Sequence, residues 1–152
     1  MDSIFIFGAE KLFILSPLVA AYFFYKLSRD KQKEVLIFTF FCLPLTFILG
    51  ILARDVYFDP RPFVIRGFGP LISHAPDNGF PSDHALLTAS IAAIVTFFDR
   101  KYAIALWLIT LLVGISRMYV GVHHALDILG SIFIALLGAY VVHIVLCWKN
   151  KV

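Results

Sequence analysis

The sequence predicts an all-α fold: a polytopic membrane bundle of about five transmembrane helices behind a short N-terminal interfacial segment, one domain over residues 1–152. Three observations carry this. Hydrophobic residues make up 61% of the chain and the mean hydropathy is +0.89. A soluble domain of this length cannot hide so much apolar surface, so its solvent is lipid. The apolar residues fall in long runs broken by short charged turns, and Lys and Arg gather at the ends of those runs, where they set topology. The net charge of +3 is small and points to no nucleic-acid partner.

The elements follow in order. Residues 1–10 lie in the interface or begin the first helix. The first span covers residues 12–27, with Pro17 near its start, and is expected to stay as a span because it lacks an Ala-x-Ala-like exit. Residues 28–34 form a charged turn. The second span, residues 35–53, carries Pro44 as an expected kink. Residues 54–83 make the one long polar stretch and hold five of the seven prolines. A stretch of that length is more than a connector. The third span (84–98), a turn at Asp99-Arg100-Lys101, the fourth span (102–116), a link with Gly121 and the fifth span (124–148) complete the chain. A crossing helix needs about 20 residues, and the third and fourth spans have about fifteen each. Their polar ends, His84 and Ser116-Arg117, are therefore expected below the membrane surface. Cys42 and Cys147 both lie in apolar runs and are read as free thiols; no Cys/His metal spacing is present.

Orientation follows from the charges. Lys26, Arg29, Lys31, Lys33, Arg100, Lys101, Lys149 and Lys151 fall on one side. Lys11, Arg54, Arg61, Arg66 and Arg117 fall on the other. The first side has the excess and is expected to be cytoplasmic.

Three polar clusters share the outer side. Arg54 and Arg61 lie two helical turns apart, and Pro60 and Pro62 favour a break between them. Two guanidinium forks there can converge on phosphate oxygens. The plainer reading is a helix-end anchor, with the arginines paired to Asp55 and Asp59. Phe80-Pro81-Ser82-Asp83-His84 opens the third span, with Ser82 or Asp83 as cap. Free N–H groups, a hydroxyl and an imidazole at a helix start suit an anion, and His84 can donate a proton to a departing oxygen. Alone, this is simply a helix start. In the third cluster, His123 and Asp127 are four apart and share a helical face. Asp127 in an apolar run needs a partner, and an Asp that orients a His leaves the other ring nitrogen as a nucleophile. His124, three residues from Asp127, is the weaker candidate. His74 is read as a solvated loop histidine, with a headgroup contact as the alternative, and His143 as packing.

Together the clusters resemble the phosphatidic acid phosphatase type 2 (PAP2) superfamily, whose pattern is Lys-x6-Arg-Pro, Pro-Ser-Gly-His and Ser-Arg-x5-His-x3-Asp. Arg54 with Arg61-Pro62 matches the first with Arg for Lys. Pro81-Ser82-Asp83-His84 matches the second with Asp for Gly. Ser116-Arg117, His123 and Asp127 match the third in full. The segments around Asp59-Pro60-Arg61-Pro62 and Ser82-Asp83-His84 are similar to bacterial undecaprenyl-diphosphatases of the bacitracin-resistance type. The resemblance implies a bacterial cytoplasmic-membrane enzyme with a PAP2-like core, cleaving undecaprenyl diphosphate to undecaprenyl phosphate and phosphate without metal or cofactor. It implies a phosphohistidine on His123, with Asp127 orienting it and His84 as proton donor. It assigns phosphate binding to Arg54, Arg61, Arg117, Ser82 and Asp83. The competing readings are a phosphatase for phosphatidylglycerophosphate, phosphatidate or a lipid A phosphate, and a lipid-phosphate or anion transporter that leaves the His123–Asp127 pair idle. The oligomeric state is not legible.

Overall fold

In the computed structural model, residues 1–149 are described; Asn150, Lys151 and Val152, including the Lys151 charge counted above, lie outside the described residues. Helix α1 (Asp2–Glu10) passes through a 3-10 turn (Leu12–Ile14) into α2 (Leu15–Lys26). Then come α3 (Arg29–Val56), the short α4 (Pro62–Arg66), α5 (Asp83–Thr96), α6 (Arg100–Tyr119) and α7 (Ala125–Lys149). Helices α3, α6 and α7 are each long and apolar enough to cross a membrane. Helices α1 and α2, bent by 46°, are together long and apolar enough for a fourth, as a broken span or a re-entrant pair, and α5 is a shorter apolar helix. These helices make the bundle.

Helix α5 sits at the centre, packed by α2, α3, α6 and α7. Its sequence explains why. Ala85, Ala89, Ala92 and Ala93 are buried, and their small side chains let neighbouring backbones approach on every side. Its buried hydroxyls are satisfied by its own carbonyls: Thr88 donates to His84 O at 3.0 Å and Ser90 to Leu86 O at 2.7 Å. Phe23, Leu106 and Val113 fill the space between α2, α5 and α6. The outside is apolar. Phe40 is 70% exposed and Phe47 and Phe133 65%, as expected for a surface facing lipid.

Two expectations about spans need correction. Residues 28–34 are not a turn, because α3 starts at Arg29 and Lys31–Glu34 pairs one helical turn apart at 2.7 Å. From there it continues through Pro44 to Val56. The fourth span does not end at Ser116: α6 continues to Tyr119, and Val120 N–H closes on Ser116 O at 3.0 Å. Helix α6 thus has 20 residues, a full crossing length. Helix α5, with 14 residues, remains short. At 1.5 Å per residue it spans about 21 Å, against a hydrocarbon core of ~30 Å. Asp99 caps α6, accepting from Lys101 N–H at 2.8 Å and Tyr102 N–H at 3.1 Å.

Up-and-down connectivity gathers the end of α3, the start of α5, the end of α6 and the start of α7 at one end of the bundle. That end carries the three polar clusters. Helix α1 docks there too: Phe5 stacks on Tyr119 with ring centroids 3.8 Å apart, and Gly8 lies against Ser116.

Candidate active site

The site is built around His123, which the chain delivers just after α6. The turn needs Gly121, whose φ of +84° is left-handed, and the Phe68 ring lies 2.6 Å from where a Cβ would stand. His123 precedes α7, so it does not share a helical face with Asp127 as the spacing suggested. They meet across the helix start instead. His123 Nδ1 lies 3.1 Å from Asp127 Oδ2, which also accepts the His124 backbone N–H at 2.9 Å. Asp127 is 0% exposed and His123 4%. The carboxylate therefore fixes the proton on Nδ1 and leaves the Nε2 lone pair free.

Two arginines face that lone pair. Arg61 Nη1 and Arg117 Nη2 each lie 3.3 Å from His123 Nε2. Arg61 is held on all sides. Its Nε donates to Asp77 Oδ1 at 2.7 Å, Nη1 to Val122 O at 2.9 Å and Nη2 to Asn78 O at 3.4 Å. Arg117 comes from the last turn of α6, and its Nη1 donates to Ala9 O at 3.4 Å. Its Nε is buried without a hydrogen-bond partner in the protein, as is Ser82 Oγ. Burial pushes the His123 pKa below the ordinary histidine value, and the Arg117 and Arg61 charges add to this against the Asp127 bond. At neutral pH the imidazole is uncharged. For Asp77, burial pulls upward, but the Arg61 bond and charge prevail and hold the carboxyl below its usual range.

Arg54 stands apart from this pair. It lies in the last turn of α3 and donates to Asp83 Oδ1 at 2.6 Å. The side chains are 42% and 73% exposed, so the bridge is a solvated one. The expected pairings with Asp55 and Asp59 do not form, because α3 ends at Val56 and the chain turns away. The expected caps of α5 also differ. Ser82 occupies the N-cap position, yet neither it nor Asp83 supplies a side-chain cap bond. Ser82 is instead drawn inward, its carbonyl accepting from Ser131 Oγ at 3.0 Å. His84, half-buried in the first turn of α5, sets its ring edge-on to Phe13 with centroids 4.6 Å apart. It lies close enough to Arg117 to feel its charge. Beside Asp83, an apolar cavity of about 330 Å³ opens between α3 and α5, lined by Leu43, Phe47, Leu86 and Leu87.

Asn78 and Asp77 escaped the sequence reading, and Asp59 and His74 stand differently from their expected places. Asn78 uses its whole amide. Its Oδ1 accepts from Asp59 N–H at 2.9 Å and Phe80 N–H at 3.0 Å, while Nδ2 donates to Arg54 O at 3.1 Å and Tyr57 O at 2.9 Å. Asp77 is the counter-ion of Arg61. Asp59 pairs not with an arginine but with His124 Nδ1 at 2.9 Å. Burial raises its pKa, and the nearby Asp127 charge adds to this against the His124 bond. Asp59, His124 and Asp127 also bring one ligand atom each within 4.8 Å of one another, a grouping that no metal spacing in the sequence announces. His74 is half-buried rather than solvated, its ring centroid 6.3 Å from that of His123. Asp77 and Asn78 follow His74 closely in a polar loop, and that density of polar residues is the one signal the sequence offers. His143 packs as expected, stacked on Phe97, and both cysteines are free.

The geometry has counterparts among known proteins. A family model described as the PAP2 superfamily matches residues 36–151. The undecaprenyl-diphosphatase BcrC of Bacillus subtilis (strain 168) is 35% identical over 141 residues, spanning 90% of this chain and 70% of that protein. The solved structure of Aquifex aeolicus LpxE superposes with a TM-score of 0.71 at 23% identity, over 93% of this chain and 84% of that one, a likeness of fold. A PAP2 type phosphatidylglycerolphosphate phosphatase from Bacillus subtilis gives a TM-score of 0.58 at 27% identity, over 99% and 75%.

Proposed function

Since the chain belongs to the PAP2 superfamily and is a multi-pass membrane phosphatase, we propose that it hydrolyses undecaprenyl diphosphate to undecaprenyl phosphate and phosphate through a phosphohistidine on His123. The observation that carries this is the His123 ring, with Nδ1 on buried Asp127 and Nε2 within 3.3 Å of both Arg61 and Arg117. An uncharged nitrogen nucleophile between two fixed cations suits attack on a phosphoryl group.

The terminal phosphoryl group binds between Arg61 and Arg117, and Ser82 Oγ and the first N–H groups of α5 complete the cradle. His123 Nε2 forms a bond to phosphorus as the bond to the bridging oxygen breaks, releasing polyprenyl phosphate. Asp127 stabilises the developing imidazolium. His84 protonates the departing oxygen, then takes a proton from the water that attacks the phosphohistidine. That second attack breaks the N–P bond and frees phosphate and His123. A diphosphate leaves as a phosphate, so His84 contributes less here than it would with a monoester. Arg54 and Asp83, beside the cavity between α3 and α5, meet the inner phosphate where the polyprenyl chain enters lipid.

The charges at the other end of the bundle, Lys26, Arg29, Lys31, Lys33, Arg100 and Lys101, support a cytoplasmic assignment for that end. The site then faces the outside of a bacterial cytoplasmic membrane, where it recycles the carrier lipid for wall synthesis and confers bacitracin resistance. The test is phosphate release by purified protein in detergent with chelator present. Polyprenyl diphosphate, phosphatidylglycerophosphate and phosphatidate are compared side by side. The diphosphate should give the highest kcat/KM, and His123→Ala should abolish turnover. Preference for a glycerolipid monophosphate, or near-normal turnover by His123→Ala, would overturn the proposal.

A further inference from the structure

Two histidines at this end of the bundle, His74 and His124, take no part in the reaction above. His124 is paired with Asp59, whereas among the described residues His74 has no such partner, and it is not a free loop side chain. The chain on both sides of it is fixed. Before it, Leu71 N–H bonds Val120 O at 3.0 Å and Ile72 is buried against Ala9, Val120 and Val122. After it, Asp77 holds Arg61 and Asn78 ties the loop to the end of α3. His74 is only two positions from buried Ile72 and three from Asp77.

Its ring meets that of His123 nearly at right angles, at 74°, with centroids 6.3 Å apart. Its Nδ1 lies 3.4 Å from Ala75 O, which assigns the proton to Nδ1 and leaves Nε2 as an acceptor. Arg61 and Arg117 lie close enough to act on it, with Asp77 as the opposing charge. A histidine beside two arginines and a nucleophile has one kind of ligand in common with them, a phosphoryl group.

We propose that His74 is a further substrate-contacting residue, closing the phosphate cradle from the loop side and bonding an oxygen of the terminal phosphoryl group. This rests on the phosphatase reading above. Burial and the Arg61 charge hold the His74 pKa below the ordinary value, so it rests neutral. A phosphoryl group carrying up to two negative charges reverses that balance and draws a proton onto Nε2. His74 then donates to the oxygen, and a charge-assisted bond forms only when phosphate is bound. Asp77, on Arg61, keeps the loop in register but touches no substrate.

The experiment measures phosphate as a competitive inhibitor and substrate KM for the parent, His74→Ala and His74→Gln, with melting temperatures as a check on folding. Loss of a hydrogen bond to a charged group should raise both the inhibition constant for inorganic phosphate and KM by about tenfold or more. His74→Gln, which keeps a donor without the charge, should fall between. kcat should change less than either. An unchanged inhibition constant in both variants overturns the proposal, whatever kcat does. So does a change in melting temperature alone. The parent protein separates the two readings: if it neither binds inorganic phosphate nor releases it from any lipid phosphate, the phosphatase assignment fails. If it does both and His74→Ala matches it, only the role of His74 fails.

Discussion

Replacing Asn78 with alanine removes four hydrogen bonds at once. Two go to the carbonyls of Arg54 and Tyr57 at the end of α3, and two come from the N–H groups of Asp59 and Phe80. At ~1 kcal/mol net per neutral bond the upper figure is ~4 kcal/mol. The two carbonyl bonds are exposed, so water replaces the lost donor there, and about 2–3 kcal/mol is expected. In a chain of this size that is a fall of roughly 4–12 °C in melting temperature. Asn78→Asp is the discriminating companion. It keeps both acceptor bonds but sets a carboxylate against the carbonyl end of α3, where the helix dipole already disfavours negative charge. It should therefore be no more stable than the alanine variant despite its closer shape. The assay is thermal unfolding in detergent, paired with phosphate release, which should also fall because Arg54 and the Asp59–His124 pair lose their tether. An Asn78→Ala protein melting within about 1 °C of its parent, at equal kcat/KM, would refute the reasoning.

Asp127→Asn should lower kcat by about a hundredfold or more while phosphate still binds, because an amide no longer selects the Nδ1–H form of His123; single-turnover phosphate release reads this, and normal turnover would contradict it. Gly121→Ala meets both a left-handed φ and the Phe68 ring, so a loss of at least ~1–2 kcal/mol is expected in thermal unfolding, with a parallel loss of phosphatase activity. His123 and His74 both have folded-state pKa values below the unfolded histidine value of ~6.5. The unfolded chain then binds more protons in that window, so the stability they contribute is present above pH ~6.5 and is lost as pH falls through their lowered values. Melting temperatures measured downward from neutral pH should show this decline, and His123→Asn should flatten it.

What could be read from the sequence was what local spacing fixes. Residues 116–127 carry Arg117 at the end of α6, His123 in the link and Asp127 at the start of α7, so their meeting follows from a short stretch of chain. Arg61 was legible for its cost: a buried guanidinium needs a reason. The partners that fix these groups were hidden because they arrive through space. Asp77 reaches Arg61, and Asn78 the end of α3, by the path of a loop with no periodicity to read. Asp83 was flagged as a departure, but its bridge to Arg54 joins residues 29 positions apart. The shared helical face expected for His123 and Asp127 failed for a local reason: α7 begins only at Ala125, so their four-residue spacing is spent partly on a loop. The fourth span was ended at residue 116, where polar residues begin, whereas α6 runs three residues further and the carbonyl of Ala9 accepts an N–H of Arg117 there.

That carbonyl leaves Arg117 in an unusual position. Arg61 has a carboxylate at 2.7 Å, whereas among the described residues no carboxylate lies within bridging distance of Arg117. A peptide dipole at the end of α1 eases the burial of its charge without cancelling it. The phosphate-free protein thus carries a cation that its own fold compensates incompletely, at a cost to stability. Folding and anion binding become linked: phosphate at a hundred times its dissociation constant would add about 2.7 kcal/mol to the unfolding free energy. The product of the reaction is then also a stabiliser of the catalyst, and the sturdiest form of the protein is the one that has just finished a turnover.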